Sequence, residues 1–141
     1  MRKSTLFVLA LLLMAVCLPT FGTNPHNQVP ILVAQQSFTG QTAAISTITL
    51  FSPSATDSKE YRVSAYMNAA SGATGNAKLN ITYTDDYALQ IQSVVVGSIG
   101  GAMNQQTFVL HVAPSTSITM DVSIPGGGSV TYDVHVSLEE L

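Results

Sequence analysis

Two aspartates and two histidines in the C-terminal third of the chain have the residue types and spacing of a cation site. Asp133 and His135 occupy polar positions of the alternating apolar and polar run 130–138, and Asp121 lies in a similar run upstream. Carboxylate oxygens and imidazole nitrogens are common ligands of divalent cations. If the two runs pair as a hairpin, Asp121 faces Asp133, and His111 joins the row of His135. These four residues are the metal-ligand candidates.

The length of the loop between the two runs supports that pairing. Residues 126–128 are three glycines, and an odd-length loop keeps the apolar side chains of both runs on one face. The hairpin then places Val122 beside Tyr132 and Asp121 beside Asp133. A five-residue loop at 113–117 extends the same register to a three-stranded meander that includes His111.

The same residues also have a simpler interpretation as polar positions on a wet surface. Two carboxylates directly opposite each other are unfavourable. Sandwich connections often carry successive strands into opposite sheets, which would separate Asp121 from Asp133. We favour the simpler interpretation, in which these residues form no metal site, and we expect no cofactor.

Two tyrosines are candidates for a ligand-binding surface. Tyr66 points outward from the predicted strand 61–68, and Tyr87 follows the acidic pair at 85–86, which we interpret as a turn. Exposed aromatic rings combine an apolar face with a polar tip and suit sugar stacking, although the chain contains no Trp. Asn80 begins an N-glycosylation sequon on an outward position, which we interpret as a chance match because the N-terminus looks bacterial.

The chain shows no pattern typical of an enzyme. Its three histidines are His26, His111 and His135, and the serines include no Gly-x-Ser-x-Gly motif. The glycines at 97, 100 and 101 lack the Gly-Lys-Ser/Thr ending of a phosphate loop. We therefore predict a non-enzymatic protein.

Seven or eight short strands must position these residues. The predicted strands are 45–51, 61–68, 77–84, 88–96, 106–112, 118–124 and 130–138, with an eighth possible near residue 31. The run 88–96 is apolar enough to suggest burial on both faces. The fold class is therefore an all-β, antiparallel β-sandwich of jelly-roll type.

The N-terminal residues predict a cleaved signal peptide over 1–22. Arg2 and Lys3 precede an apolar run at 5–18, and Gly22 ends a plausible cleavage site. Lipidation at Cys17 is not favoured, because bulky Val16 precedes it. This predicts a secreted, periplasmic or cell-surface protein with no membrane span in its mature form.

The remaining chain divides into a segment 23–42 and a β-sandwich domain 43–141. The first is either a flexible N-terminus or an edge strand, because Pro30 has no N–H and suits an edge. Residues 29–33 could add a strand within the chain or to a neighbouring copy.

Charge excludes nucleic acid as a partner. Removal of the signal peptide leaves three basic residues, Lys59, Arg62 and Lys78, against eight acidic ones. Three scattered cations cannot follow a phosphate backbone. With only 9% charged residues overall, the surface must be mostly neutral and polar, as in extracellular β domains and packed subunits.

Four blocks resemble a loose group of small β-sandwich proteins, secreted or phage-associated. They are TLFSP at 49–53, YRVSAY at 61–66, LNITYTDD at 79–86 and YDVHVSLE at 132–139. The resemblance covers about residues 45–141. It implies a jelly-roll-like sandwich with a structural or binding role and carries no catalytic residues.

Together these observations predict a secreted structural or adhesive module of bacterial origin. Its partner would be a second copy or a surface polymer or glycan. The alternative is a carbohydrate-binding accessory module, and the third hypothesis is a secreted hydrolase without a recognisable motif.

Overall fold

The computed structural model describes residues 29–53, 56 and 58–141. The predicted signal peptide, Cys17 and His26 lie outside the described residues. The described part contains eight strands, namely β1 (Ile31–Gln41), β2 (Ile45–Phe51), β3 (Lys59–Ala69), β4 (Asn76–Thr84), β5 (Leu89–Gly97), β6 (Met103–Val112), β7 (Ile118–Ser123) and β8 (Tyr132–Glu140). No helix in the described ranges is long and apolar enough to cross a membrane.

The strands form two four-stranded sheets in which every neighbouring pair is antiparallel. Sheet A has the order β1-β8-β3-β6, and sheet B has the order β2-β7-β4-β5. Only β4 and β5 are both consecutive in the chain and paired. This is the strand order of an eight-stranded jelly roll, so the predicted fold class is confirmed.

The core lies between the sheets and follows the alternation in the sequence. In the central strands β3, β4, β7 and β8, every second side chain is buried. Among the described residues, every side chain in the buried core is apolar or a tyrosine. Tyr61, Met67, Leu79, Met120 and Leu138 are among the largest that are fully enclosed. Each central strand therefore turns one face to the core and the other to water.

The hairpin between the last two strands, which the candidate cation site required, does not form, because the two strands lie in opposite sheets. β7 lies in sheet B between β2 and β4, where Val122 pairs with Leu79. β8 lies in sheet A between β1 and β3, where Tyr132 pairs with Ala69. The three-stranded meander is absent for the same reason, because β6 lies in sheet A and β7 in sheet B. Parity is satisfied equally when the two strands face each other across the core, so it could not distinguish the two arrangements.

The triple glycine serves a crossing between sheets instead of a tight hairpin. Gly126, Gly127 and Gly128 all have positive φ angles, from 71° to 85°. The loop packs on the β3–β4 connection, where the Thr74 N–H donates to the Ser129 carbonyl at 2.9 Å. A Cβ on Gly128 would lie 2.7 Å from the Thr74 carbonyl oxygen, so this close approach requires glycine.

The two strands β5 and β1 bear on the remaining sequence predictions. β5 is not buried on both faces, because it is the last strand of sheet B and leaves Leu89 and Ile91 exposed. At the opposite side, Ile31–Gln41 forms the edge strand β1 and pairs with β8 of the same chain.

Candidate functional site

The structure separates the two aspartates of the candidate cation site. Asp121 lies on the outer face of sheet B, where its Oδ2 accepts a hydrogen bond of 2.9 Å from Asn80 Nδ2. Asp133 belongs to sheet A and accepts a bond of 2.7 Å from the Gly40 backbone N–H. Because the two sheets enclose the core between them, the carboxylates cannot share an ion.

The structure also keeps His111 and His135 apart, so they cannot form a metal site together. His135 pairs with Tyr66, whereas His111 pairs with Glu60, which lies six residues before Tyr66 in β3. That offset is about 20 Å along the strand. Within the described ranges, no group of three His, Cys, Asp or Glu side chains could hold a metal ion. The cation site therefore loses the pairing on which it depended.

His135 instead belongs to a polar row across the outer face of sheet A. Its Nδ1 lies 2.8 Å from the Ser37 hydroxyl, and its ring centroid lies 5.7 Å from that of Tyr66. Tyr66 in turn pairs with Gln105 on β6. The row thus places an imidazole and a phenol ring side by side, between a hydroxyl and a primary amide.

A shallow depression of about 180 Å³ lies over this row. Polar side chains line it at Gln35, Ser64, Tyr66, Gln105, His135 and Ser137, and Ala65 and Val136 add apolar surface. These side chains offer amide, hydroxyl and imidazole groups around one aromatic ring. Such a lining can hydrogen-bond a neutral polar ligand while the ring contacts an apolar face.

His111 forms a second polar contact, at one end of the sandwich. Its Nε2 lies 2.9 Å from Asp86 Oδ2, and the Ser58 hydroxyl donates to the other oxygen of the same carboxylate. The bonds from Ser58 and His111 lower the pKa of Asp86 below its ordinary value. The contact joins β6 of sheet A to the β4–β5 turn of sheet B.

Tyr87 lies in that turn, far from the polar row of Tyr66. Asp85 Oδ1 accepts hydrogen bonds from the backbone N–H groups of Tyr87 and Ala88, which closes the turn and lowers the pKa of Asp85. The Tyr87 side chain is 96% exposed. The structure therefore does not bring the two candidate tyrosines together.

Asn80, the sequon asparagine, uses both ends of its amide. It donates to Asp121, and its Oδ1 accepts a hydrogen bond of 3.0 Å from the Ser93 hydroxyl. The side chain thus links three strands of sheet B, β7, β4 and β5. This arrangement supports a structural role for Asn80.

The most unusual surface of the molecule was not evident from motifs. The four edge strands β1, β2, β5 and β6 contain no Asp, Glu, Lys, Arg or Pro. In the part of the chain that the structure describes, these charged residues lie on the four central strands or in the β4–β5 turn, at Lys59, Glu60, Arg62, Lys78, Asp85, Asp86, Asp121, Asp133, Glu139 and Glu140.

Exposed apolar side chains have the opposite distribution. Apart from Leu141, every large exposed hydrophobic residue that the structure describes lies on an edge strand or within two residues of one. They are Val29, Ile31, Leu32, Tyr87, Leu89, Ile91, Ile99, Met103 and Val109. Soluble β proteins usually protect sheet edges with charges, especially Lys, or with Pro. Strand composition contains this signal, but it can be used only once the strand order is known.

No protein-family model and no curated protein sequence matches the chain. Among solved structures, it is similar to the xylanase 10B CBM22-1–GH10 modules of Clostridium thermocellum complexed with xylohexaose, at 13% identity and a TM-score of 0.46. That match covers 80% of this chain and 29% of the xylanase chain.

Two further matches cover most of both chains. The acidic stable capsid of Helicobacter pylori bacteriophage KHP30 gives 12% identity, a TM-score of 0.46, and coverage of 81% of this chain and 89% of the other. The Bacillus endospore appendages, described as disulfide-linked pili, give 12% identity, a TM-score of 0.39, and coverage of 82% and 93%. At these values the similarities support no functional argument, and the resemblance to the small β-sandwich group stays a prediction.

Proposed function

We propose that the chain is a non-enzymatic structural β-sandwich module that associates with copies of itself through its sheet edges. The observation that carries this proposal is the absence of charge and Pro from all four edge strands, combined with the exposed apolar residues along them. An unprotected edge presents unpaired N–H and C=O groups that pair readily with another strand.

The placement of charge also favours edges over faces as the contact surface. Asp121, Asp133, Glu139 and Glu140 lie on central strands, and the described residues contain seven acidic side chains against three basic ones. Stacking two sheet faces would remove the charged side chains of the central strands from water, whereas joining two edges would not. The net charge thus keeps the faces soluble while the edges remain able to associate.

Sedimentation velocity over a range of concentrations tests this proposal on the full chain. The edge variant carries Leu32→Lys, Ile91→Lys and Val109→Lys, at three side chains that are each more than half exposed. Its matched control carries Ser64→Lys, Asn68→Lys and Thr119→Lys on central strands, so the added charge is equal and no two lysines face each other. All three proteins share the same N-terminal residues, whose contribution is therefore constant.

We expect concentration-dependent oligomers from the wild type and the control, and monomers from the edge variant. A wild type that stays monomeric at high concentration would contradict the proposal. So would a control variant that dissociates as fully as the edge variant.

We further propose that this assembly takes place outside the cytoplasm, at the cell surface or in the periplasm. The support is the charged and apolar pattern of residues 1–22 in the sequence. Mass spectrometry of the exported protein tests this, with a new N-terminus at Thr23 as the expected result. An intact N-terminus on a protein retained in the cytoplasm would contradict it.

The second candidate function is carbohydrate binding on the outer face of sheet A. The depression beside Tyr66 and His135, with Gln35 and Gln105 at its sides, supports it. A glycan array with Tyr66→Ala tests this function, and Tyr87→Ala is the matched control because Tyr87 lies outside the depression. Loss of a glycan signal in Tyr66→Ala alone supports binding, whereas no signal from the wild type would contradict it.

A further inference from the structure

We infer that the contact between copies is a two-fold pairing of β6 with β6 of a second copy, in the register that sets Met103 against Val109. This inference rests on the proposed self-association and specifies which edge forms the contact. It follows from three properties of the two sides of the sandwich, which are strand regularity, the placement of exposed apolar residues and the placement of charge.

Each side of the sandwich is formed by one edge strand from each sheet. β1 and β2 lie together at one side and are joined by residues 42–44. β5 and β6 lie together at the other side, joined by residues 98–102, where the Gly97 N–H donates to the Gly101 carbonyl at 2.7 Å. An associating copy must therefore approach the β1–β2 side or the β5–β6 side.

The β1–β2 side is irregular. β1 shifts register against β8 between Leu32 and Ala34 and again between Phe38 and Gln41, and β2 shifts twice against β7. Bulges of this kind bend an edge and hinder the addition of another strand. By contrast, β6 pairs with β3 over ten successive positions, and β5 pairs with β4 over nine, without a shift. The β5–β6 side is thus the regular edge.

The exposed apolar residues of β6 are placed symmetrically for self-pairing. Met103 is 64% exposed and Val109 is 61% exposed, and both point to the outer face of sheet A. In a two-fold antiparallel pair centred on Gln106, Met103 of each copy faces Val109 of the other. Both apolar side chains then leave water together, and a two-fold contact of this kind is the commonest form of closed assembly.

Charge placement is compatible with the same register. The acidic turn at Asp85 and Asp86 contacts His111 near the end of β6. In the proposed pair, His111 lies opposite Gly101 of the other copy, so the acidic turn faces that copy's glycine connection and not its acidic turn. The register therefore brings no like charges together.

Cysteine cross-linking tests the register directly. In a Cys17→Ser background, we would mix the Met103→Cys and Val109→Cys variants under mild oxidation. Directly opposed residues have Cα atoms about 5 Å apart, which suits a disulfide. Each variant alone places its own cysteines about 20 Å apart in the proposed pair, because six residues separate 103 from 109. We expect a disulfide-linked dimer from the mixture and none from either variant alone.

Single lysine variants test the choice of side. We expect Val109→Lys to raise the dimer dissociation constant about tenfold or more, because a lysine replaces the apolar contact. Leu32→Lys, at a position 56% exposed on β1, should leave the constant unchanged.

The outcomes separate this inference from the proposed function. A monomeric wild type would overturn both. If the wild type associates but Leu32→Lys dissociates it and Val109→Lys does not, the edge contact is on the β1–β2 side and this inference is wrong. Oligomers that depend on Val109 but give no mixed disulfide would overturn the register.

Discussion

The central strands and the edge strands of this jelly roll divide charge and apolar surface in opposite ways. β3, β4, β7 and β8 hold most of the buried core and, in the described chain, every charged strand residue apart from the histidines. β1, β2, β5 and β6 hold neither charge nor Pro, and most of the exposed large hydrophobic residues lie on or beside them. The residues that stabilise the fold and the residues that the proposed association would use are therefore separate sets.

Ion pairs reinforce this division. Lys59 pairs with Glu140, and Arg62 Nε donates to Glu139 at 2.7 Å, so both pairs join β3 to β8 in the middle of sheet A. Both backbone edges of these strands are already paired. Their charges can therefore keep the face soluble, but they do not block an incoming strand as a charge on an edge would.

The largest effect should come from a charge placed in the central core. Leu79→Asp puts a carboxylate at a position with no solvent exposure, and we expect a loss of about 4 kcal/mol or more in the free energy of unfolding. Ile91→Asp on the edge strand β5 is the matched control, because its side chain is 57% exposed. Urea denaturation followed by circular dichroism measures both. If both variants lost a similar amount of unfolding free energy, the central and edge strands would not differ in their contribution to stability.

Two buried tyrosines on central strands, Tyr132 and Tyr61, differ in whether their hydroxyl groups are hydrogen-bonded. The Tyr132 hydroxyl donates to the Ala43 carbonyl, in the β1–β2 connection, at 2.7 Å. The Tyr61 hydroxyl is buried and has no hydrogen-bond partner among the described residues. Burial raises the pKa of both phenols.

We therefore expect opposite results from two equal substitutions. Tyr132→Phe should lower the free energy of unfolding by about 1 kcal/mol, because it leaves the Ala43 carbonyl unpaired. Tyr61→Phe should raise it by up to about 1 kcal/mol, because it removes a buried polar group that lacks a partner. Denaturation midpoints measure both variants, and a loss of stability in Tyr61→Phe would show that its hydroxyl is satisfied.

The smallest expected effect is on stability in acid, and it comes from the β4–β5 turn, which joins a central strand to an edge strand. The folded-state pKa values of Asp85 and Asp86 lie below the ordinary value of 3.8, so both carboxylates stabilise the fold fully only above about pH 5. Their contribution is lost as the pH falls through the lowered values. As the pH is lowered from about 5 through these values, the variant Asp85→Asn/Asp86→Asn should lose less stability than the wild type. Thermal unfolding across this range measures it, and parallel curves would contradict the assignment.

The sequence predicted the strands of this molecule better than their partners. The β-rich composition of residues 45–51 located β2. Alternation identified the inward side chains of β3, β4, β7 and β8, because local periodicity reports which face is buried. Alternation is the same whether Val122 and Tyr132 pair within a sheet or face each other across the core. Pairing depends on long-range contacts, so the hairpin, and with it the cation site, could not be decided locally.

The candidate site shows the same limit. Tyr66 was correctly placed on an outward face, but its neighbours His135 and Gln105 come from strands far away in sequence. Likewise, the neutral composition of LQIQSVVVG at 89–97 is visible in the sequence, whereas its position at the edge of sheet B is not. A surface defined by its place in the sheet becomes recognisable only when the sheet order is known.

The central claim is that association uses the edges and leaves the central strands free. Sedimentation velocity of the wild type, the edge variant with lysines at 32, 91 and 109, and the central variant with lysines at 64, 68 and 119 tests it most directly. Our account predicts oligomers for the wild type and the central variant, and a folded monomer for the edge variant. Oligomers that survive in the edge variant but disappear in the central variant would contradict it.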